Sequence, residues 1–180
     1  MANLIKQSKF LSLILRHDPG AVGVTLDSHG WIEVDVLLQA IQRTRPQFSK
    51  EMLNKIVETN DKKRFAFSED GKRIRASQGH SIGVDLDLKP SKPPEILFHG
   101  TALRNLDSIR EQGLHSAARD HVHLSPNEIT AHKVGMRHGN PVILRIKAGS
   151  MAEAGSIFYL SENGVWLTES VPVEFIEFPS

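Results

Sequence analysis

The chain has 180 residues and a mass of 20.0 kDa, enough for one domain or two small lobes with buried cores. It contains no cysteine, which excludes disulfides, thiolate metal cages and a cysteine nucleophile and is compatible with a reducing compartment. Its first residues, Met1-Ala2-Asn3-Leu4-Ile5-Lys6, lack the pattern of a secretory leader, and no apolar run is long enough to cross a bilayer, so a cytoplasmic protein without a membrane span is expected. The net charge of +1 hides an asymmetry: residues 1–90 carry 14 Lys/Arg against 11 Asp/Glu, and residues 91–180 carry 8 against 10. Lys62, Lys63, Arg64, Lys72, Arg73 and Arg75 lie close together in the first half, a local basic patch suited either to a polyanion or to a solvated hairpin.

The pattern of Phe10, Leu11, Ile14 and Leu15 predicts a helix over 8–17, with Leu13 as an apolar residue in excess of the buried stripe. Asp18-Pro19-Gly20 stops it. A strand is expected over 22–26, then a turn at Asp27-Ser28-His29-Gly30 and an extended segment from Trp31. Asp35 is the expected N-cap of a helix running to about Arg43, and Ser49 that of the next, with Met52, Leu53, Ile56 and Val57 as its apolar stripe. Two short strands, 64–67 and 73–76, follow. Three helices and a hairpin predict a winged-helix-like lobe over 1–83. Proline-rich 84–94 reads as a linker.

Beyond it the chain is strand-dominated, with strands expected at 96–99, 121–124, 141–147, 165–167 and 173–178. A helix over 105–112 should close at Gly113, and Ser125-Pro126-Asn127-Glu128 presents a cap, a proline and a capping-box glutamate in order. The expected class is α+β, with a β-rich second lobe over 95–180.

Several groups carry candidate chemistry. His99-Gly100-Thr101 ends an apolar strand; the glycine permits close approach of a ligand to the backbone, and its neighbours offer polar groups for ribose hydroxyls and phosphate oxygens. Alone, the tripeptide is a weak signal, more often a strand-end turn with a satisfied histidine. In His121-Val122-His123-Leu124-Ser125, alternation places His121 and His123 on one face. No metal site is expected, because cysteine is absent and His115, His132 and His138 make no zinc spacing. Arg16-His17 ends the first helix, where positive charge also complements the helix dipole. Arg64 and Arg119, taken singly, are ordinary surface charges.

Together, Ser8-Lys9-Phe10-Leu11-Ser12 with Leu15-Arg16-His17, Asp27-Ser28-His29-Gly30-Trp31, Asp61-Lys62-Lys63-Arg64-Phe65, Ile74-Arg75-Ala76-Ser77-Gln78-Gly79-His80-Ser81, Phe98-His99-Gly100-Thr101, His121-Val122-His123-Leu124-Ser125 and Asn163-Gly164-Val165-Trp166-Leu167 resemble, in order and spacing, the motif series of the RNA 2′-phosphotransferase family. The resemblance implies a winged-helix RNA lobe followed by an ADP-ribosyltransferase-like NAD lobe. It places the family's Arg-His-Arg-Arg phosphate tetrad on Arg16, His17, Arg64 and Arg119. It puts NAD contacts on His99, Gly100, Thr101, His123, Leu124 and Ser125, with Val165 where many ADP-ribosyltransferases have a glutamate. Lys63, Arg75, Gln78, His80 and Ser81 become candidates for RNA contact or for holding the lobe interface.

The implied reaction removes an internal RNA 2′-phosphate by transferring it to NAD, which is consumed, with no metal. A phosphate oxygen attacks the anomeric carbon of the nicotinamide ribose, nicotinamide leaves, and RNA 2′-phospho-ADP-ribose forms. The 2″-hydroxyl then attacks phosphorus, releasing 2′-hydroxyl RNA and ADP-ribose 1″,2″-cyclic phosphate. Three guanidiniums, always charged and able to grip two oxygens in a plane, suit that second step. Histidine is the one tetrad member that changes protonation near neutral pH. A monomer is expected. Two other readings stay open at this point: ADP-ribosylation of a terminal phosphate of nucleic acid, and a non-catalytic winged-helix protein that senses NAD or ADP-ribose.

Overall fold

The computed structural model describes residues 2–117 and 120–179. It is a mixed α+β structure, and the chain divides into two units, Met1–Asp87 and Leu88–Ser180, each with its own apolar core.

In the first unit, helix α1 (Ala2–Arg16) buries Leu11, Ile14 and Leu15 completely. The strand expected over 22–26 does not form. Asp18 instead accepts a hydrogen bond from the Ala21 amide and caps a 3-10 turn, Pro19–Val22, and Gly23 ends that turn at φ 71°, in the left-handed region. Strand β1 (Ile32–Glu33) leads straight into α2 (Val34–Gln42). Asp35 is therefore in the first turn of α2 and is not its cap; Glu33 holds that position without a side-chain bond, because the backbone becomes helical one residue before the aspartate. Ser49 does cap α3 (Lys50–Glu58), accepting from the Met52 amide, and Leu53 and Ile56 face the core. Strands β2 (Phe65–Phe67) and β3 (Arg73–Ala76) complete an antiparallel sheet of order β1-β3-β2, with Phe67 opposite Ile74 and Ile32 opposite Ile74 on the other edge.

In the second unit, β4 (Leu97–Ala102) runs into a 3-10 turn, Leu103–Asn105, and α4 (Leu106–Gln112), so the helix expected from 105 starts slightly later and closes at Gly113. Then come β5 (Leu114–His115), β6 (Val122–Leu124) and α5 (Glu128–Gly135). The cap of α5 is Asn127, which accepts from the Thr130 amide; Ser125 is committed elsewhere, its amide and carbonyl both paired with Phe98. Strand β7 (Pro141–Ile146) pairs with β4 along its whole length. After it come α6 (Ala148–Glu153), β8 (Phe158–Leu160), β9 (Trp166–Thr168), β10 (Ser170–Val171) and β11 (Ile176–Glu177). The first half of the strand expected over 173–178 is a 3-10 turn, Val173–Phe175, and only Ile176 and Glu177 pair with β7. The sheets are β11-β7-β4, β6-β9-β8 and β10-β5, all antiparallel. Pro90 bridges Tyr159 and the Ser91 amide donates to the Phe158 carbonyl, so part of the proline-rich segment packs on β8.

Candidate functional site

Two concave regions, one in each unit, hold His17 and Arg64 in the first and His99, Gly100, Thr101 and His123 in the second. The first is a groove of about 580 Å³ along one face of α1, walled by the end of α3 and the segment 59–64. His17, one residue past the helix, and Arg64, one residue before β2, both open onto it. The His17 ring is set from its Nδ1 atom, 2.8 Å from the Ser81 hydroxyl, and the Ser81 amide donates to the Arg16 carbonyl at 2.9 Å. Arg64 donates through Nη1 to Asn60 Oδ1, and Asn60 Nδ2 in turn donates to the Ser8 hydroxyl, both at 3.4 Å. The arginine is thus tied back to α1 through an amide. Ser8, Lys9, Ser12, Asn60 and Lys62 line the groove as well. Ser8 and Ser12, four residues apart on one helix face, were the sequence signal for part of that wall.

Beneath this rim lies a buried polar layer. Arg75 is only 9% exposed and lies over Trp31, its guanidinium carbon 4.4 Å from the ring centroid; Arg73 stacks on the same indole at 5.4 Å. The Trp31 ring is held there by the turn before it, in which Asp27 accepts from the His29 and Trp31 amides. Arg75 is therefore a sheet-face cation packed on an aromatic ring, a placement worth about 1–2 kcal/mol when desolvated. His80 is 3% exposed, and its Nε2 has no hydrogen-bond partner among the described residues. Burial chiefly, and then the guanidiniums of Arg16 and Arg75 and the neighbouring His17, push its imidazole down to about 4, so it is neutral at physiological pH. Gln78 Oε1 is likewise buried without a partner. Of the residues considered for RNA contact, then, Arg75 and His80 are interior, Ser81 is exposed and engaged with His17, and Lys63 is exposed at φ 41°, its carbonyl accepting from the Ser77 hydroxyl.

The second region is a cavity of about 620 Å³ in the second unit. Alternation along β4 sends His99 and Thr101 to one face and Gly100 to the other. His99 and Thr101 line the cavity, while a side chain on Gly100 would fall inside the contact radius of the Ala131 carbonyl of α5. The glycine is required by helix-on-strand packing, and Gly135 of α5 sits at the same crossing. Gly100 itself also lines the cavity, so this packing role stands beside the close approach of a ligand that the sequence suggests.

His99 Nδ1 is 3.0 Å from the His123 carbonyl, an acceptor only, so Nδ1 carries the proton and donates. Burial, the largest influence, holds His99 below its ordinary range, outweighing that hydrogen bond; Nε2 is then an unprotonated acceptor at neutral pH. Thr101 Oγ1 accepts from Asn105 Nδ2 at 3.1 Å and keeps its own proton to donate. His121 and His123 both line the cavity, as alternation along β6 requires. Leu124 faces the opposite way and is 1% exposed in the core, and Ser125 is a backbone link to β4, so neither side chain is part of the cavity wall. Val165 lies in the turn between β8 and β9, its amide and carbonyl both bonded to Ser161. Asn105, Ser108 and Gln112, which the sequence did not single out, add to the polar lining together with His115, Ser116 and His138. Arg119 lies outside the described residues. Among the described residues no group of three or more His, Asp or Glu side chains could hold a metal, and no helix is long and apolar enough to cross a membrane.

Residues 2–170 match the profile of the RNA 2′-phosphotransferase, Tpt1 / KptA family. Similar curated proteins bear the name probable RNA 2′-phosphotransferase. One from Rhodopirellula baltica is 53% identical over 178 residues, 98% of this chain and 97% of that protein. One from Pseudomonas aeruginosa is 54% identical over 170 residues, 94% and 93% of the two chains. One from Escherichia coli O45:K1 is 50% identical over 177 residues, 98% and 91%.

Proposed function

Because the chain belongs to the RNA 2′-phosphotransferase, Tpt1 / KptA family, and is accordingly an NAD-dependent transferase acting on 2′-phosphorylated RNA, we propose that the groove bearing His17 and Arg64 receives the RNA 2′-phosphate and that the cavity bearing His99 receives NAD. We read the first unit as a winged-helix-like RNA lobe and the second as an ADP-ribosyltransferase-like NAD lobe. The enzyme works as a cytoplasmic monomer, without a metal. The observation that carries the assignment is the convergence of His17 and Arg64, 47 positions apart in the chain, on one groove whose other charged walls are mainly lysines.

In this reading Arg16, Arg64 and Arg119 neutralise the phosphoryl oxygens, and none of them is a proton acceptor. A unit charge pair at about 4 Å is worth roughly 4 kcal/mol at an effective dielectric near 20 and only about 1 kcal/mol in bulk water, so enclosure of the phosphate determines how much the arginines contribute. Arg64 is held for this by Asn60, and His17 by Ser81. Holding the phosphate in line is the main catalytic requirement.

The cavity fits a dinucleotide by volume and by lining. Its size is within the usual range for small-ligand sites, and most of its lining residues are polar, with apolar Ile109, Leu114, Val122 and Val134 among them. There His99 Nε2 accepts from a ribose hydroxyl, Thr101 donates through its hydroxyl, and His123 supports His99 through its carbonyl. When bound, NAD supplies an anomeric carbon with nicotinamide as a good leaving group. The test is to incubate the protein and NAD with an oligonucleotide carrying one internal 2′-phosphate. Dephosphorylated RNA and ADP-ribose 1″,2″-cyclic phosphate are expected; ADP-ribose retained on the RNA as the end product would overturn the assignment of the full reaction.

A further inference from the structure

Helix α1 carries a stripe that the proposed phosphate contacts leave unused. Ile5, Lys9, Leu13 and His17 follow one another at intervals of four residues, so they line one face of the helix about 6 Å apart, ending at the histidine. Leu13 is the apolar residue that the buried stripe of α1 does not need. It is 42% exposed and Ile5 is 60% exposed, and both face the groove with Ile56 of α3 as its apolar floor. Around that floor stand Lys9, Lys62 and Arg64 against a single carboxylate, Asp61.

Covering exposed aliphatic side chains removes apolar area from water, and an occupant of this groove would also face a cationic rim. A protein segment would have to match that charge with carboxylates placed along the groove. A single-stranded nucleotide has both properties in one unit: every base has an apolar face, and its phosphate is an anion at fixed reach from the base.

We propose that this stripe is a subsite for the nucleotide directly flanking the 2′-phosphorylated residue. Its base lies on Leu13 and Ile5, and its own phosphate is met by Lys9 and Lys62. The polar neighbours Ser8 and Ser12 belong to the same wall and give the base edge hydroxyl partners. The contact is indifferent to base identity, since aliphatic surface reads no donor or acceptor pattern. The inference rests on the reading that His17 and Arg64 hold the 2′-phosphate.

The test is a binding cycle on the full chain, without NAD, using oligonucleotides with one internal 2′-phosphate and either a normal or an abasic flanking nucleotide on each side in turn. Leu13→Asn and Ile5→Asn, both at exposed positions and neutral, are expected to weaken binding of the normal RNA about ten-fold. An abasic site on one side should weaken the unmodified protein by a similar factor, and variant and abasic site together should lose little more than either alone. Losses that multiply on both sides, or variants that bind normal RNA as well as the parent, would overturn the subsite and leave the groove to a protein partner or to none. Arg64→Ala runs in parallel with 2′-phosphate and 2′-hydroxyl RNA. If that variant still distinguishes the two RNAs as the parent does, the phosphate assignment itself fails, whatever the asparagine variants show.

Discussion

The hydroxyl of Ser81 and Nδ1 of His17 are 2.8 Å apart, joining residues 64 positions distant in the chain, while the Ser81 amide fastens the Arg16 carbonyl. One serine therefore holds both members of the Arg16-His17 pair. Ser81→Ala should lower kcat about five- to ten-fold, the equivalent of about 1 kcal/mol for one hydrogen bond, with the KM for NAD unchanged. Ser81→Thr should restore most of the loss. Steady-state kinetics at saturating RNA checks this, and a Ser81→Ala enzyme with parental kcat would refute it.

Arg64 is expected to matter more. Arg64→Ala removes a charge-assisted contact of about 1.5–3 kcal/mol, so attack of the 2″-hydroxyl on the phosphorus of the intermediate, with release of the RNA 2′-oxygen, should slow by at least ten-fold. RNA 2′-phospho-ADP-ribose should then accumulate in a single-turnover assay, and Arg119→Ala should behave alike. Normal product formation with no intermediate in either variant would contradict the clamp.

For NAD, His99→Ala should raise the KM about ten-fold by removing the Nε2 acceptor, while RNA affinity measured without NAD stays at its parental value. An equal loss of RNA binding would show that His99 serves the other ligand.

His80 gives a pH signature in stability. Its folded-state pKa of about 4 lies below the ordinary 6.5, so its contribution is fully present above pH 6.5 and is lost as pH falls toward 4, where the unfolded chain takes up a proton that the folded one refuses. The loss by pH 4 is about 3 kcal/mol. Denaturant melts at pH 7, 5.5 and 4.5 should show this decline in the parent and a flatter profile in His80→Gln. An NMR titration of the His80 ring with a midpoint near 6.5 would refute the assignment directly.

Gly100→Ala should destabilise the protein by about 3 kcal/mol, because the new methyl group meets the Ala131 carbonyl and backbone rather than a yielding side chain. A lower melting temperature that NAD does not restore to the parental value is the expected result. A variant with unchanged melting temperature and weakened NAD binding would instead make the glycine a ligand contact.

What could be read from the sequence follows how local each determinant is. Ser49 and the stripe Leu53 and Ile56 carry their own instructions, and α3 forms as expected. Ser125 looked like a cap by the same local rule, but its backbone pairs with Phe98, a partner 27 residues away, and Asn127 takes the role. The pairing of β8 with β9 and the short helix α6 depend on such distant partners and have weak periodicity of their own. In the candidate sites, motif order brought out His17, Arg64, His99 and His123 together. It did not separate the Leu124 side chain, which faces the core, from the imidazole beside it, nor reveal that Arg75 is spent on Trp31. Lys9, Asn60 and Asn105 emerge only once the chain is folded, since each gains meaning from a neighbour on another turn or another element.

Strand β3 is flanked on both edges, and its alternation gives Ile74 wholly to the core while Arg73 and Arg75 share the indole on the other face. The connection entering it, 68–72, is short and closed by Ser68 and a left-handed Gly71. A slip of one residue in the pairing of β3 would turn the strand over, thrusting a guanidinium into the apolar core and an isoleucine onto tryptophan. The backbone pairing of Ser68 with Arg73 that closes this hairpin therefore sets which face of the strand each arginine occupies.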